Sequence, residues 1–151
     1  MSMLKLDLQV CHSLYSASNA LIRAYRPLLE PLGLTYPQYL VMLSLWERDG
    51  VSVKALSQHT RLDSGTLTPI LKRLQNQGLL NRDVSEQDER QKKIVLTEKG
   101  QALRHEAEKI PEVMACSIHT DLKKAIELKK LCEELVKKLE NPIEFKESAS
   151  Q

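Results

Sequence analysis

Hydrophobic residues recur at helical spacing along most of the chain, with one interval of extended character. Near the N-terminus a single apolar stripe predicts a helix. Its members are Cys11, Leu14, Tyr15, Ser18, Leu21, Ile22 and Tyr25. Pro27, Pro31 and Gly33 follow, and we expect them to end or bend this helix because proline removes a backbone donor and glycine permits a turn.

Three shorter helices are predicted next. The second helix should begin near Pro37, which suits a first helical turn, and stop at Gly50. Ser52 is a candidate cap for the third helix, and Asp63 and Gly78 are candidate start and stop signals for the fourth. The residues expected to face inward are Tyr39, Leu40, Met42, Leu43 and Trp46, then Val53, Ala55 and Leu56, then Leu67, Ile70, Leu71 and Leu74.

The third and fourth predicted helices are joined by a tight turn at residues 60–62, which is typical of a helix-turn-helix unit. After Gly78 the spacing of the hydrophobic residues changes from helical to extended. Residues 79–84 and 94–96 look extended, and the polar, charged segment 85–91 lies between them, so we predict a β-hairpin with a charged tip, a wing. Thr97 should cap a further helix.

The C-terminal part is predicted to be helical. Pro111 is expected either to begin a new turn or to kink the chain, and residues 118–139 carry a strong amphipathic pattern. The predicted fold class is mainly α with a small β-hairpin wing, that is, a winged helix-turn-helix in a single chain of 151 residues. We expect the winged part to span residues 35–97.

Composition and charge narrow the class of protein. Hydrophobic residues make up 42% of the chain and charged residues 28%, which is typical of a globular protein. No apolar run approaches the ~20 residues of a membrane span, and the N-terminus lacks the features of a signal peptide, so we expect a cytoplasmic protein. The net charge is +2, but residues 54–104 hold ten basic and six acidic side chains, a local +4 that favours a polyanionic partner.

The fourth predicted helix carries the candidate DNA contacts. Ser64, Thr66 and Thr68 place small hydroxyl side chains at its N-terminal end, where a recognition helix meets base edges in the major groove. Lys72 and Arg73 fall on its outer face, within reach of phosphates or guanines. The alternative interpretation is that the hydroxyls only cap a helix. Pro69 lies inside this segment, so we expect either a local kink or a later helix start.

The tip of the predicted wing supplies a second candidate contact. An arginine at a hairpin tip can enter the minor groove, and Arg90 occupies this place. Asp88 could hold that arginine through a charge-assisted hydrogen bond. The alternative is a solvated charged turn without a partner.

The three cysteines, Cys11, Cys116 and Cys132, are too few and too widely spaced for a disulfide framework. Cys11 is expected near a helix N-terminus, where the helix dipole favours a negatively charged group such as a thiolate. Tyr15 and Tyr25 share its helix face, but 14 residues of straight helix span about 21 Å. Tyr25 can therefore meet a Cys11 thiolate only from another subunit. The alternative is that Cys11 is a small buried hydrophobic residue.

Three long segments resemble one known family. They are DERQKKIVLTEKG at 88–100, LTYPQYL at 34–40 and LDSGTLTPILKRL at 62–74. The first resembles the wing signature of the MarR regulators. The others, with Cys11, Tyr15 and Tyr25, resemble the organic-hydroperoxide repressors of that family, known as OhrR. The resemblance covers residues 4–139.

This resemblance implies a repressor that binds a palindromic double-stranded DNA operator as a homodimer and needs no cofactor. Residues 4–34 and 98–140 would form the dimer. An organic hydroperoxide would oxidise Cys11, with Tyr15 and Tyr25 supporting the thiolate, and the operator would be released. Cys116 would be the resolving thiol across the dimer, as in the two-cysteine subtype, while Cys132 is assigned to the core.

Three alternatives stay open. A MarR-type regulator of this kind could respond to a small phenolic ligand instead of an oxidant. A thiol peroxidase would use the same cysteine, but would not need the helix-turn-helix or the wing. A metal sensor is suggested by the spacing of Cys116 and His119 and by His12 beside Cys11.

Overall fold

Helices dominate the described part of the chain, as the hydrophobic pattern predicts. The computed structural model describes residues 4–85, 88–118 and 121–140; for residues 84, 85 and 88–91 it describes the backbone alone. The chain divides into two units, Met1–Pro111 and Glu112–Gln151. No helix of the described residues is both long and apolar enough to cross a membrane.

The first helix ends within the predicted interval between Pro27 and Gly33. A short 3-10 turn at Leu6–Leu8 precedes helix α1, Val10–Leu29, and a second 3-10 turn at Glu30–Leu32 follows it. Pro27 lies inside the last turn of α1 and does not end it. The reversal comes instead at Gly33, whose φ of 66° lies in the left-handed region that glycine tolerates best.

Side-chain caps set the next three helices where the sequence predicts them. Helix α2, Tyr36–Glu47, begins with a capping box between Thr35 and Gln38. Helix α3, Val53–Thr60, is capped by the Ser52 side chain. Helix α4, Ser64–Asn76, is capped by Asp63 and ends before Gly78, so α3 and α4 form the predicted helix-turn-helix.

The wing belongs to a three-stranded antiparallel sheet. Strands β2, Leu80–Ser85, and β3, Asp88–Leu96, form the predicted hairpin. The sequence did not predict strand β1, Val51–Ser52, which pairs with β3 and gives the order β1-β3-β2. A strand of two residues is too short to show an alternating pattern.

The core of the first unit lies between α2, α3, α4 and the sheet. The leucines and the isoleucine that are at most 1% exposed there are Leu45, Leu56, Leu67, Leu71, Leu74, Leu80 and Ile94. Two predictions of inward-facing residues were wrong. Ala55 is exposed because it lies on the side of α3 away from the stripe formed by Val53, Leu56, Ser57 and Thr60, and Leu43 is 39% exposed beside the buried face of α2.

Three helices follow the sheet. Helix α5, Glu98–Ala107, is capped by Thr97 as predicted. Helix α6, Ile110–Ile118, carries Pro111 in its first turn, so this proline begins a helix. Helix α7, Leu122–Glu140, starts later than the predicted segment 118–139, because Ile118 belongs to α6. Several apolar side chains of α7 are more than half exposed in the single chain, namely Leu122, Ile126, Leu128, Leu131 and Leu139.

Candidate functional site

The N-terminal turn of α4 is built around Asp63. The amide of Thr66 donates to Asp63 Oδ1 over 2.9 Å, and the Thr66 hydroxyl donates to Asp63 Oδ2 over 2.7 Å. Two hydrogen bonds from Thr66 hold the pKa of Asp63 below its usual value. The bond from the side chain has the larger effect and the bond from the amide the smaller. Because the Thr66 hydroxyl already donates its proton to Asp63, it can only accept a hydrogen bond from another partner.

Thr68 and Ser64 lie on the exposed side of the same turn. The Thr68 hydroxyl donates to the Ser64 carbonyl over 2.8 Å, so Thr68 also faces outward chiefly as an acceptor and a methyl group. Helix α4 begins at Ser64 with Pro69 inside it, so of the two outcomes expected from Pro69, a kink or a later start, the later start is wrong.

Lys72 and Arg73 are exposed, while Leu67, Leu71 and Leu74 on the same helix are buried. Helix α4 therefore buries one face in the core and presents a basic, hydroxyl-bearing face outward. This division is what a helix lying in the major groove of DNA requires.

The wing places a second basic surface after α4. Lys92 and Lys93 are exposed on β3. Asp88 and Arg90 belong to the same strand, but their side chains lie outside the described residues. The predicted hydrogen bond between them therefore stays a prediction.

Cys11 is the second residue of α1 and is exposed in the single chain. It therefore does not take the place of a buried hydrophobic residue in this chain. Tyr15, one turn further along α1, is 68% exposed. Tyr25 lies 14 residues from Cys11 on the continuous helix α1, a separation of about 21 Å by helix geometry.

Tyr25 joins an aromatic cluster with Tyr36 and Tyr39. The ring centroids of Tyr25 and Tyr36 are 4.8 Å apart, and those of Tyr25 and Tyr39 are 5.9 Å apart. Burial raises the pKa of all three hydroxyls, and the neighbouring tyrosines raise those of Tyr25 and Tyr39 further. These hydroxyls thus remain protonated, hydrogen-bond-donating groups at neutral pH.

Sequence reasoning did not assign Tyr36 to the site. The contact between Tyr36 and Tyr25 forms across the turn between two helices, so the spacing within either helix does not show it. The available signal was the count of tyrosines. The chain has four, and three of them meet in this cluster.

The other two cysteines lie in the second unit. Cys116 is exposed on α6, and Cys132 is partly buried on α7. All three cysteines are free thiols. Among the described residues no group of three His, Cys, Asp or Glu side chains could hold a metal ion. His119 of the metal-sensor alternative falls outside the described residues.

The comparisons with known proteins agree with this geometry. A family model described as "Transcriptional regulator SarA/Rot" matches residues 23–107. The organic hydroperoxide resistance transcriptional regulator of Bacillus subtilis is 49% identical over 108 residues, which cover 72% of this chain and 74% of that protein. The chain belongs to the MarR/SarA family of winged-helix transcriptional regulators. Within that family it belongs to the branch of the organic hydroperoxide regulators.

Solved structures of another regulator, AbfR of Staphylococcus epidermidis, are also similar to this MarR/SarA-type chain. Reduced AbfR bound to DNA is 36% identical and matches with a TM-score of 0.76, covering 89% of this chain and 92% of that one. The disulfide form of AbfR is 34% identical, with a TM-score of 0.62 over 87% of this chain and 92% of that one. The protein is thus a DNA-binding transcriptional regulator.

Proposed function

We propose that this regulator is a redox-sensing repressor that binds a palindromic operator when reduced and releases it when an organic hydroperoxide oxidises Cys11. The observation that carries the proposal is the exposed Cys11 thiol in the first turn of α1, in a chain 49% identical to an organic hydroperoxide resistance regulator. AbfR, with structures of a reduced DNA-bound form and a disulfide form, supports the same switch.

The repressor acts as a homodimer in this proposal. Residues 4–34 and 98–140 form the interface. Supporting this, Leu4, Leu6, Leu8 and Val10 are 54–95% exposed in the single chain, as are the leucines of α7 already named. Apolar surface of this extent is normally covered by a partner.

Tyrosines support the Cys11 thiolate. Tyr15 follows Cys11 by one turn on the same helix face. Tyr25 lies too far along α1 to reach Cys11 of its own chain, so its hydroxyl, together with that of Tyr36, serves the partner's Cys11. A hydrogen bond from a protonated hydroxyl stabilises a thiolate, and burial keeps these hydroxyls protonated.

The oxidation proceeds in two balanced steps. The Cys11 thiolate attacks one peroxide oxygen, the O–O bond breaks, and the alkoxide takes a proton to leave as an alcohol, giving a sulfenic acid at Cys11. The Cys116 thiolate of the opposite subunit then attacks the sulfenic sulfur. An S–S bond forms, and the hydroxyl leaves with a proton as water.

DNA binding uses two surfaces of each subunit. Ser64, Thr68, Lys72 and Arg73 of α4 enter the major groove, and Thr66 acts mainly through the cap that it forms with Asp63. Arg90 enters the minor groove from the wing, positioned by Asp88. Two such subunits read half-sites about 34 Å apart.

Oxidation changes the distance between the two copies of α4 in the dimer. A disulfide needs Cα atoms within about 7 Å of each other, so its formation moves the helices that carry the two cysteines if the reduced thiols lie further apart. Because the same helices hold the dimer together, their movement changes the distance between the two copies of α4. DNA affinity then falls without a change at any DNA-contacting residue.

Non-reducing gels and operator binding, run on the same sample before and after one equivalent of cumene hydroperoxide, test the proposal. We expect wild type to form a covalent dimer and lose the operator. Cys116→Ser should react at Cys11, detected by a sulfenic acid probe, but form no covalent dimer. Cys132→Ser serves as the control and should behave as wild type. Peroxide turnover with a thiol reductant, without release of DNA, would instead support a thiol peroxidase.

A second candidate function is a response to a small phenolic ligand. A cavity of about 470 Å³ favours it because the aromatic walls formed by Tyr39 and Trp46 suit a neutral phenol; the charged residues Glu47, Arg104 and Glu108 also line this cavity. Operator release by a phenol, unchanged in Cys11→Ser, would support this candidate over the redox switch.

A further inference from the structure

One side chain joins the wing directly to the recognition helix. Arg82, on β2, donates from Nη2 to the backbone carbonyl of Thr68 on α4 over 3.1 Å. The Thr68 carbonyl can accept this bond because a carbonyl oxygen has two lone pairs and helical bonding uses one of them. The contact therefore reaches the turn of α4 that presents its hydroxyls outward.

The backbone of Arg82 is held by strand pairing. Arg82 pairs with Ile94 of β3, and Ile94 also pairs with Val51 of β1. Ile94 is 0% exposed. The backbone of Arg82 thus lies where the sheet has all three strands, next to a core residue and at the base of the wing.

The surroundings of Arg82 do not favour an arginine for stability alone. Its Nε is buried and has no hydrogen-bond partner in the described part of the chain. Buried donors are normally paired, and an apolar side chain at this position would leave no donor unsatisfied. What the arginine provides, and an apolar side chain lacks, is the hydrogen bond to the Thr68 carbonyl, its one hydrogen-bond partner among the described residues.

We propose that Arg82 is a positioning residue for DNA binding, which fixes the wing at a set angle to α4 through the Thr68 carbonyl. A rigid, planar guanidinium can hold such an angle, whereas an apolar side chain cannot provide the hydrogen bond. The inference rests on the proposed use of the wing. It adds that major-groove and minor-groove contacts are made together because Arg82 sets their relative position.

A double-mutant cycle on operator affinity tests the proposal, with Arg82→Met, Arg90→Ala and the double variant measured at one salt concentration. Arg90→Ala should weaken binding roughly tenfold or more, as loss of a DNA contact does. Arg82→Met should weaken it by a similar factor. In the Arg90→Ala background, Arg82→Met should weaken operator binding by less than about twofold. A wing without Arg90 has already lost the DNA contact that Arg82 is proposed to position.

Two further variants separate positioning from other effects. Arg82→Lys keeps a donor and should recover part of the lost affinity. Arg48→Met removes the same charge from the exposed C-cap of α2, outside the two strands of the wing, and should bind as wild type. Thermal unfolding of each variant shows whether the fold is retained.

The outcomes separate the inference from the proposed function beneath it. Wild-type affinity in a folded Arg82→Met variant would overturn the role of Arg82, and so would a loss that simply adds to that of Arg90→Ala. If Arg90→Ala itself bound as wild type, the proposed role of the wing would fail, and the role of Arg82 with it.

Discussion

At the scale of single residues, the tyrosine cluster gives a prediction about pH. The pKa of Tyr25 and of Tyr36 is raised above the ordinary value of 10.0, mainly by burial. Above pH 10 the unfolded chain therefore loses these protons before the folded chain does, and the free energy of unfolding should fall as pH rises through that range. Tyr25→Phe and Tyr36→Phe should each show a smaller fall than wild type, measured by denaturant unfolding at constant protein concentration.

Tyr15→Phe is the matched control, because Tyr15 is exposed and makes no ring contact with the cluster. Its stability should change with pH as wild type does. Equal pH dependence in Tyr25→Phe, Tyr36→Phe and wild type would mean that the cluster does not hold its protons in the folded state.

The sequence indicated which hydroxyl residues lie at the start of α4, but not which hydrogen bond each of them makes. It named Thr66 and Thr68 as candidate DNA contacts with the same justification, but their hydroxyls donate to different acceptors, Asp63 and the Ser64 carbonyl. Tyr36 and Arg82 were missed because their contacts lie across a turn and between a strand and a helix. One-dimensional spacing carries no information about such contacts.

At the scale of secondary-structure elements, Gly100 allows the first turn of α5 to pack closely against the backbone at Leu79. A Cβ on Gly100 would lie 2.0 Å from the Leu79 carbonyl oxygen, and the Gly100 carbonyl itself accepts a hydrogen bond from Trp46 Nε1 over 2.9 Å. Gly100→Ala should therefore lower the free energy of unfolding by at least about 2 kcal/mol, measured by urea denaturation.

Gly65→Ala is the matched control, because it places the same methyl group in another helix. Its Cβ would meet only the Asp63 side chain, at 3.1 Å, and alanine favours a helix over glycine by roughly 1 kcal/mol. The net change in stability should stay within about 1 kcal/mol. Comparable losses in both variants would show that the close approach at Leu79 does not limit the packing of α5.

Helix boundaries were predictable wherever a side chain caps the helix. Ser52, Asp63 and Thr97 each accept the expected backbone hydrogen bond. Prolines were less informative, because Pro27 and Pro69 are both tolerated inside helices. Burial beside an apolar face, as at Leu43, depends on neighbouring elements and could not be predicted from the helix's own pattern.

At the scale of the whole molecule, the exposed apolar side chains of α7 predict an obligate dimer. Leu131 is 57% exposed in the single chain. Leu131→Glu places a charge on this face and should shift the protein from dimer to monomer in sedimentation experiments, because burying an unpaired charge is strongly unfavourable. Lys130→Glu changes the polar face of the same helix and should leave the dimer intact.

A stable, folded monomer of the wild-type protein at micromolar concentration would contradict this prediction. The sequence showed the apolar stripes of the terminal helices, which is why a partner could be expected. It could not show the geometry of the interface, because the pairing of two copies depends on the folded surfaces of both.

The central claim is that Cys11 converts a hydroperoxide signal into loss of DNA binding. The most direct test measures the affinity of wild type and Cys11→Ser for an operator selected from random DNA with the reduced protein, before and after one equivalent of cumene hydroperoxide. We expect both reduced proteins to bind with similar affinity and only wild type to release the operator on oxidation. Release of the operator by oxidised Cys11→Ser, to the same extent as wild type, would contradict the mechanism.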